Sequence, residues 1–154
     1  MSYLDSHKQE LREEENDEEW YAWGRSQGMD AVGPKLLTKT FNSEPSFFLD
    51  TGNALFSNGY GIWLENSSLF SQSMTIEALK KILNSKIMHY YAKLTSFQIE
   101  GNYQCYQKNF IKRFGIPQLN RNEINRIENA NPKSVDSFLS EKYGVSMSDV
   151  TKIV

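Results

Sequence analysis

The sequence predicts a mixed α+β fold, with short, mostly antiparallel strands packed against one long amphipathic helix and followed by a helical C-terminal tail. Three features predict it. Short runs rich in aromatic and β-branched residues alternate with turn signals between residues 35 and 65. Apolar residues then recur at three- and four-residue steps over residues 75–94. After Pro117, three short amphipathic stretches are separated by Asn-Pro and Tyr-Gly breaks.

Taken in order, residues 1–19 read as an acidic linker or lead-in helix, weakened by the like charges of Glu10–Glu14 and Glu14–Glu18 at helical spacing. Residues 20–154 read as the domain proper. Its first stretch, residues 20–34, carries three glycines and one proline and is expected to be turns. Strands are expected at 35–41, 46–50 and 60–65, with Asn58-Gly59 as the turn before the last, since both residues accept positive φ. The long helix starts at a Thr75 cap and lines up Ile76, Leu79, Leu83, Ile87, Tyr90 and Leu94, with Glu77 and Lys81 as an i,i+4 pair. Residues 97–115 are polar and aromatic, with Tyr103, Tyr106 and Phe110 among bases. Tail helices are expected over 121–129, over 134–142 with Ser134 as cap, and over 146–153 after Tyr143-Gly144.

Composition narrows the function classes. With 154 residues, 39% hydrophobic and 23% charged, the chain has the balance of a globular domain. No apolar run approaches the roughly 20 residues of a membrane helix, and the N-terminus lacks a basic-then-apolar leader pattern, so no membrane partner is expected. The lone Cys105 forms no internal disulfide and reads as a core filler, in keeping with a cytoplasmic location. Residues 1–19 hold eight acids against two bases, so the overall net charge of −2 hides a positive body. Between residues 78 and 113 there are seven bases and one acid, Glu100. Such a stretch is either a solvated helix face or a phosphate-binding surface.

Catalytic motifs are missing. Base-directed methyl transfer needs a polar residue, two prolines and an aromatic, and Asn131-Pro132-Lys133 lacks the second proline and the aromatic. No glycine-rich turn follows a buried strand as a nucleotide cofactor would require. His7, His89 and Cys105 are too scattered to form a zinc set, and no nucleophile–base pair stands out. No catalytic residue, resident cofactor or metal site is therefore expected in this chain.

Five blocks, in order, resemble one family. They are WYAWGRSQGMDAVGPKLLTKTF (20–41), PSFFLDTGNALFSNGYGIWLE (45–65), IEALKKILNSKIMHYYAK (76–93) with its Asn84-Ser85 pair, YQCYQKNFIKRFGIP (103–117) and VDSFLSEKYGVSMSDVTKIV (135–154). Together they are similar to the TaqI-like specificity domain found at the C-terminus of N6-adenine DNA methyltransferases, including type IIG restriction-modification enzymes. The resemblance implies target recognition on double-stranded DNA, beside a methyltransferase catalytic domain of the same parent protein that would use S-adenosylmethionine.

Such a domain grips phosphates with Lys and Arg and reads base edges with Arg, Asn or Gln. Arg25 and Gln27, in the glycine-bounded loop, are candidates for guanine and adenine; Arg25 is alternatively an internal partner of Asp30 or Asp50. Lys35 and Lys39 are strand-surface lysines or phosphate contacts. Lys86, His89 and Lys93 share a helix face, and Lys108, Lys112 and Arg113 lie among aromatics. Trp20 and Trp23 read as core or domain-interface anchors. The competing reading is a protein-interaction module of a restriction or phage-defence enzyme that makes no direct DNA contact.

Overall fold

The computed structural model describes residues 32–52, 54–56, 58–64 and 74–154. The acidic lead-in and the loop bearing Trp20, Trp23, Arg25 and Gln27 lie outside the described residues. Four strands come first: β1 (Lys35–Thr38), β2 (Phe41–Asn42), β3 (Phe47–Asp50) and β4 (Tyr60–Ile62). β1 is the centre of an antiparallel sheet of order β3-β1-β4, with Leu36 opposite both Leu49 and Ile62 and Thr38 opposite both Phe47 and Tyr60. Side chains alternate across a strand, so these six residues share the inward face. Gly59 is required by the turn before β4, because a Cβ there would stand 2.5 Å from the Thr38 carbonyl oxygen.

The strand expected over residues 35–41 divides. β1 ends at Thr38, and the Thr40 carbonyl accepts the Tyr106 amide at 2.7 Å, which draws β2 into a second sheet. That sheet has the order β2-β6-β5, with β5 (Gln98–Ile99) and β6 (Tyr103–Cys105) forming a hairpin. Cys105 is fully buried, as a core filler should be.

The long helix is two helices, α1 (Ile76–Leu83) and α2 (Lys86–Thr95), and the break has a clear cause. Thr75 caps α1 as expected, its hydroxyl accepting the Ala78 amide. At the other end the Asn84 carboxamide leaves the helix and clamps β3: Oδ1 accepts the Phe47 amide at 2.8 Å, and Nδ2 donates to the Phe47 carbonyl at 2.9 Å. Ser85 then starts a new helix by accepting the Met88 amide, while its hydroxyl donates back to Ile82. The reset changes which residues are covered. α2 buries Ile87, Met88, His89 and Ala92, and Leu94, expected on the apolar face, is exposed.

The tail completes the core through α4 (Arg121–Asn129), α5 (Pro132–Tyr143) and α6 (Met147–Ile153), which follow the four-residue helix α3 (Lys108–Ile111). Asn120 and Glu123 form a reciprocal capping box on α4. α5 is capped by Asn131 rather than Ser134, because Pro132 at the first helical position has the required φ and no amide to satisfy. Gly144, with φ of 65°, ends α5. α1 packs on β3 and α4, and α2 packs on α5 and α6. Ile82, Met88, Ile124, Leu139 and Val150 are thereby sealed in one cluster with Leu36 and Phe47. Lys81 does not pair with Glu77, which takes Lys80 instead. The Lys81 ammonium donates to the Glu128 and Ala130 carbonyls, closing the C-terminal end of α4 where the helix dipole favours a cation. The Asp136 carboxylate serves the opposite pole of α2, accepting the Lys86 amide at 2.8 Å. No described helix is long and apolar enough to cross a membrane.

Two predictions follow from this framework. Asn84→Ala leaves the amide and carbonyl of the buried Phe47 without their partners, and equilibrium urea unfolding will show a loss of about 2 kcal/mol. The second concerns the pair of buried Lys35 and half-buried Asp50, 2.5 Å apart. The Lys35 ammonium holds the Asp50 carboxyl below its ordinary value of 3.8, so the pair's contribution is complete above that pH and disappears as pH falls through the depressed value. Lys35→Met will lower the urea midpoint at neutral pH, and its gap from wild type will narrow in titrations carried below pH 3.8.

Candidate nucleic-acid interface

The second sheet and α3 form a platform fixed from beneath by α2. Gln104 is buried and its Nε2 donates to the Ala92 carbonyl, the Ser96 hydroxyl and the Phe97 carbonyl, at 3.0, 2.7 and 3.1 Å. The Cys105 amide donates to Phe97 O, closing the root of the hairpin. Phe97 meets Phe41 and Phe110 edge-on, each with ring centroids 6.0 Å apart, so β2, the hairpin and α3 share an aromatic joint. The Tyr91 hydroxyl donates to the Phe110 carbonyl and ties α3 to α2.

Five cations are carried by the elements of this platform, by α2 beneath it or by the chain next to them. Phe41 pairs with Cys105 and Thr40 bonds Tyr106, so the same register brings Lys39 beside the chain leading into Lys108. Lys108 begins α3, and Lys112 and Arg113 close it; all three are exposed. Lys93 lies one residue after Ala92, whose carbonyl receives Gln104. None of the four ion pairs among the described residues uses Lys39, Lys93, Lys108, Lys112 or Arg113. The acids nearest in the chain are Glu44 and Glu100, both exposed.

The other sequence candidates are placed elsewhere. Lys35 belongs to the first sheet and is fully buried against Asp50, which removes it from any phosphate-contacting surface. His89 is only 9% exposed. Burial, reinforced by Lys93 and opposed by Glu44, pushes it below its ordinary value of 6.5, so it is neutral at pH 7 and offers no cation. Lys86 stands at the N-terminus of α2 beside Asp136, two helical turns from Lys93. Of the expected face of Lys86, His89 and Lys93, the middle member is buried, Lys86 is exposed and Lys93 is half-buried. Arg25 and Gln27 lie outside the described residues.

Sequence reasoning missed the hairpin itself. Its signal was Gly101-Asn102, which adopts positive φ at both positions, 80° and 63°. Gln98 through Tyr103 are all exposed, and Gln98 Nε2 donates to Asn102 Oδ1 across the turn at 2.9 Å. Among the described residues no group of three or more His, Cys, Asp or Glu is arranged to hold a metal ion.

A family model described as the TaqI-like C-terminal specificity domain matches residues 1–116. No curated protein matches the chain. The match ends where the basic stretch closes, and the helices beyond it, α4 to α6, belong to the same core. The first four of the five sequence blocks fall, but for Pro117, on the matched residues, which make up three-quarters of the length: the chain belongs to the family of TaqI-like C-terminal specificity domains, which serve DNA methyltransferases in target recognition.

Proposed function

We propose that this chain is the target-recognition module of an N6-adenine DNA methyltransferase and that it holds duplex DNA across the platform of the second sheet and α3. The observation carrying this reading is that Lys39, Lys93, Lys108, Lys112 and Arg113, on or next to the second sheet, α2 and α3, have no ion-pair partner among the described residues, in a chain of the specificity-domain family. Phosphates bind through these cations and fix the register of the duplex, while side chains aimed at the groove read bases. The target adenine is extruded toward a catalytic domain of the parent protein, which binds S-adenosylmethionine and performs methyl transfer. The parent acts on DNA in the cytoplasm.

A second reading has its own support. Phe48 on the outer face of the first sheet, Trp63 just after β4 and Leu55 in the chain between β3 and β4 are exposed, which suits a protein-interaction module with no DNA contact. The two readings separate on salt. If about four of the five cations neutralise phosphates, log affinity for duplex DNA falls against log salt with a slope of about −3.6. Replacing Lys93, Lys108 and Lys112 together with Ala reduces the magnitude of that slope by about 2.7, whatever the DNA sequence. Mobility shifts over a series of salt concentrations measure both. Absence of binding at low salt, or a slope untouched by the triple substitution, favours the interaction module.

A further inference from the structure

The outer face of the first sheet is apolar and is organised around one glycine. Leu37 of β1 stands opposite Phe48 of β3 on one side and Gly61 of β4 on the other, so the three form a row across the sheet, on the side away from the core. Gly61 leaves room in that row. The Trp63 ring takes the space where a Cβ would stand, and Phe56 Cε1 lies 3.1 Å from the same point. Lys35 and Asp50 also face this way, but they neutralise each other. The row therefore offers a phosphate nothing to bind, whereas Phe48 is 62% exposed and Leu55 61%. Apolar side chains exposed side by side in this way mark a docking surface.

The course of the chain indicates the occupant. Trp63 Nε1 donates to the Val32 carbonyl at 3.2 Å, and Val32 leads through Gly33, with φ of 87°, and Pro34 into β1. The residues directly before Val32 are thus tethered beside Trp63, at the margin of this face. Residues 20–31 hold Trp20, Tyr21, Trp23 and Met29, and their one base, Arg25, is balanced by one acid, Asp30. Twelve extended residues reach about 40 Å. Three strands span only about 10 Å, so the segment is long enough to cross all of them. It matches the face in apolar character and in lack of net charge. A tethered segment also acts at high effective concentration, which favours it over a second copy of the chain or a separate protein.

We infer that residues 20–31 lie across the outer face of the first sheet, with Trp20 and Trp23 covering Phe48 and Leu55. The second reading above gives this face to another protein; the tether at Val32 gives it to the chain itself. The contact ties Arg25 and Gln27, two and four residues after Trp23, to the first sheet. It does not depend on DNA, so its failure leaves the proposed function standing.

The test is amide hydrogen exchange on the full chain, read by mass spectrometry across a dilution series. Wild type is expected to protect residues 20–31 at every concentration. The double variant Phe48→Ser/Leu55→Ser changes only exposed side chains and should speed exchange in residues 20–31 by about tenfold, while α2 keeps its protection and so reports an intact fold. The reciprocal variant Trp20→Ala/Trp23→Ala should produce the same acceleration and also speed exchange around Leu55. Leu94→Ser removes an equally exposed apolar residue away from this face and should change neither region. Unprotected residues 20–31 in wild type overturn the inference. So does protection that survives either double variant. Protection of residues 20–31 that disappears on dilution overturns it in favour of a second copy of the chain.

Discussion

The bond pair between the Asn84 carboxamide and the Phe47 backbone determines how the rest of the chain is arranged. A helix of apolar period 3.6 has no internal reason to stop at residue 84. It stops because a side chain that imitates a peptide group finds a strand whose amide and carbonyl are free at that point. One residue thus ends α1, satisfies β3 and lets Ser85 start α2 on a new axis. That second axis carries the root of the hairpin through Ala92, the aromatic joint through Tyr91, and the tail through the Asp136 contact with Lys86. Without the break, Leu94 would continue a buried stripe instead of being exposed beside the second sheet.

Much of the fold was legible because it follows local chemistry. Thr75, Gly144 and Ser146 act at helix ends as their side chains or backbone freedom dictate, and the short strands fall close to the expected segments. What was not legible depends on partners distant in sequence. Residues 35–41 read as one strand, since nothing local reveals that Tyr106 will take the Thr40 carbonyl. Asn131 outcompetes Ser134 as cap because Pro132 decides the first turn of α5. Lys81 reaches the carbonyls at the end of α4 rather than a glutamate four residues away, a preference that appears only once α4 is in place.

The candidate interface was half legible for the same reason. Composition identified the basic stretch, and helical spacing joined Lys86, His89 and Lys93, but spacing along a helix does not tell which face the core will claim. Burial took His89, and Asp50, one strand away, took Lys35. Of the cations that remain, Lys39 is brought beside the chain before Lys108 by strand register, through the pairing of Phe41 with Cys105. The family resemblance supplied the setting for these groups without saying which of them share a surface. The tail shows a similar limit, since the family match stops at residue 116 although Ile124, Leu139 and Val150 lie in the same core as Ile82 and Met88.

The hairpin separates two burdens that most surfaces carry together. Gln104 and Cys105 answer for folding, whereas the six residues beyond them contribute almost nothing to the interior. Outside Gly101 and Asn102, whose positive φ restricts the residue type, mutational drift at the tip is therefore nearly free of any folding penalty, while drift at the root is not. A scaffold divided in this way lets a lineage exchange its outermost side chains many times over without having to rebuild the body that displays them.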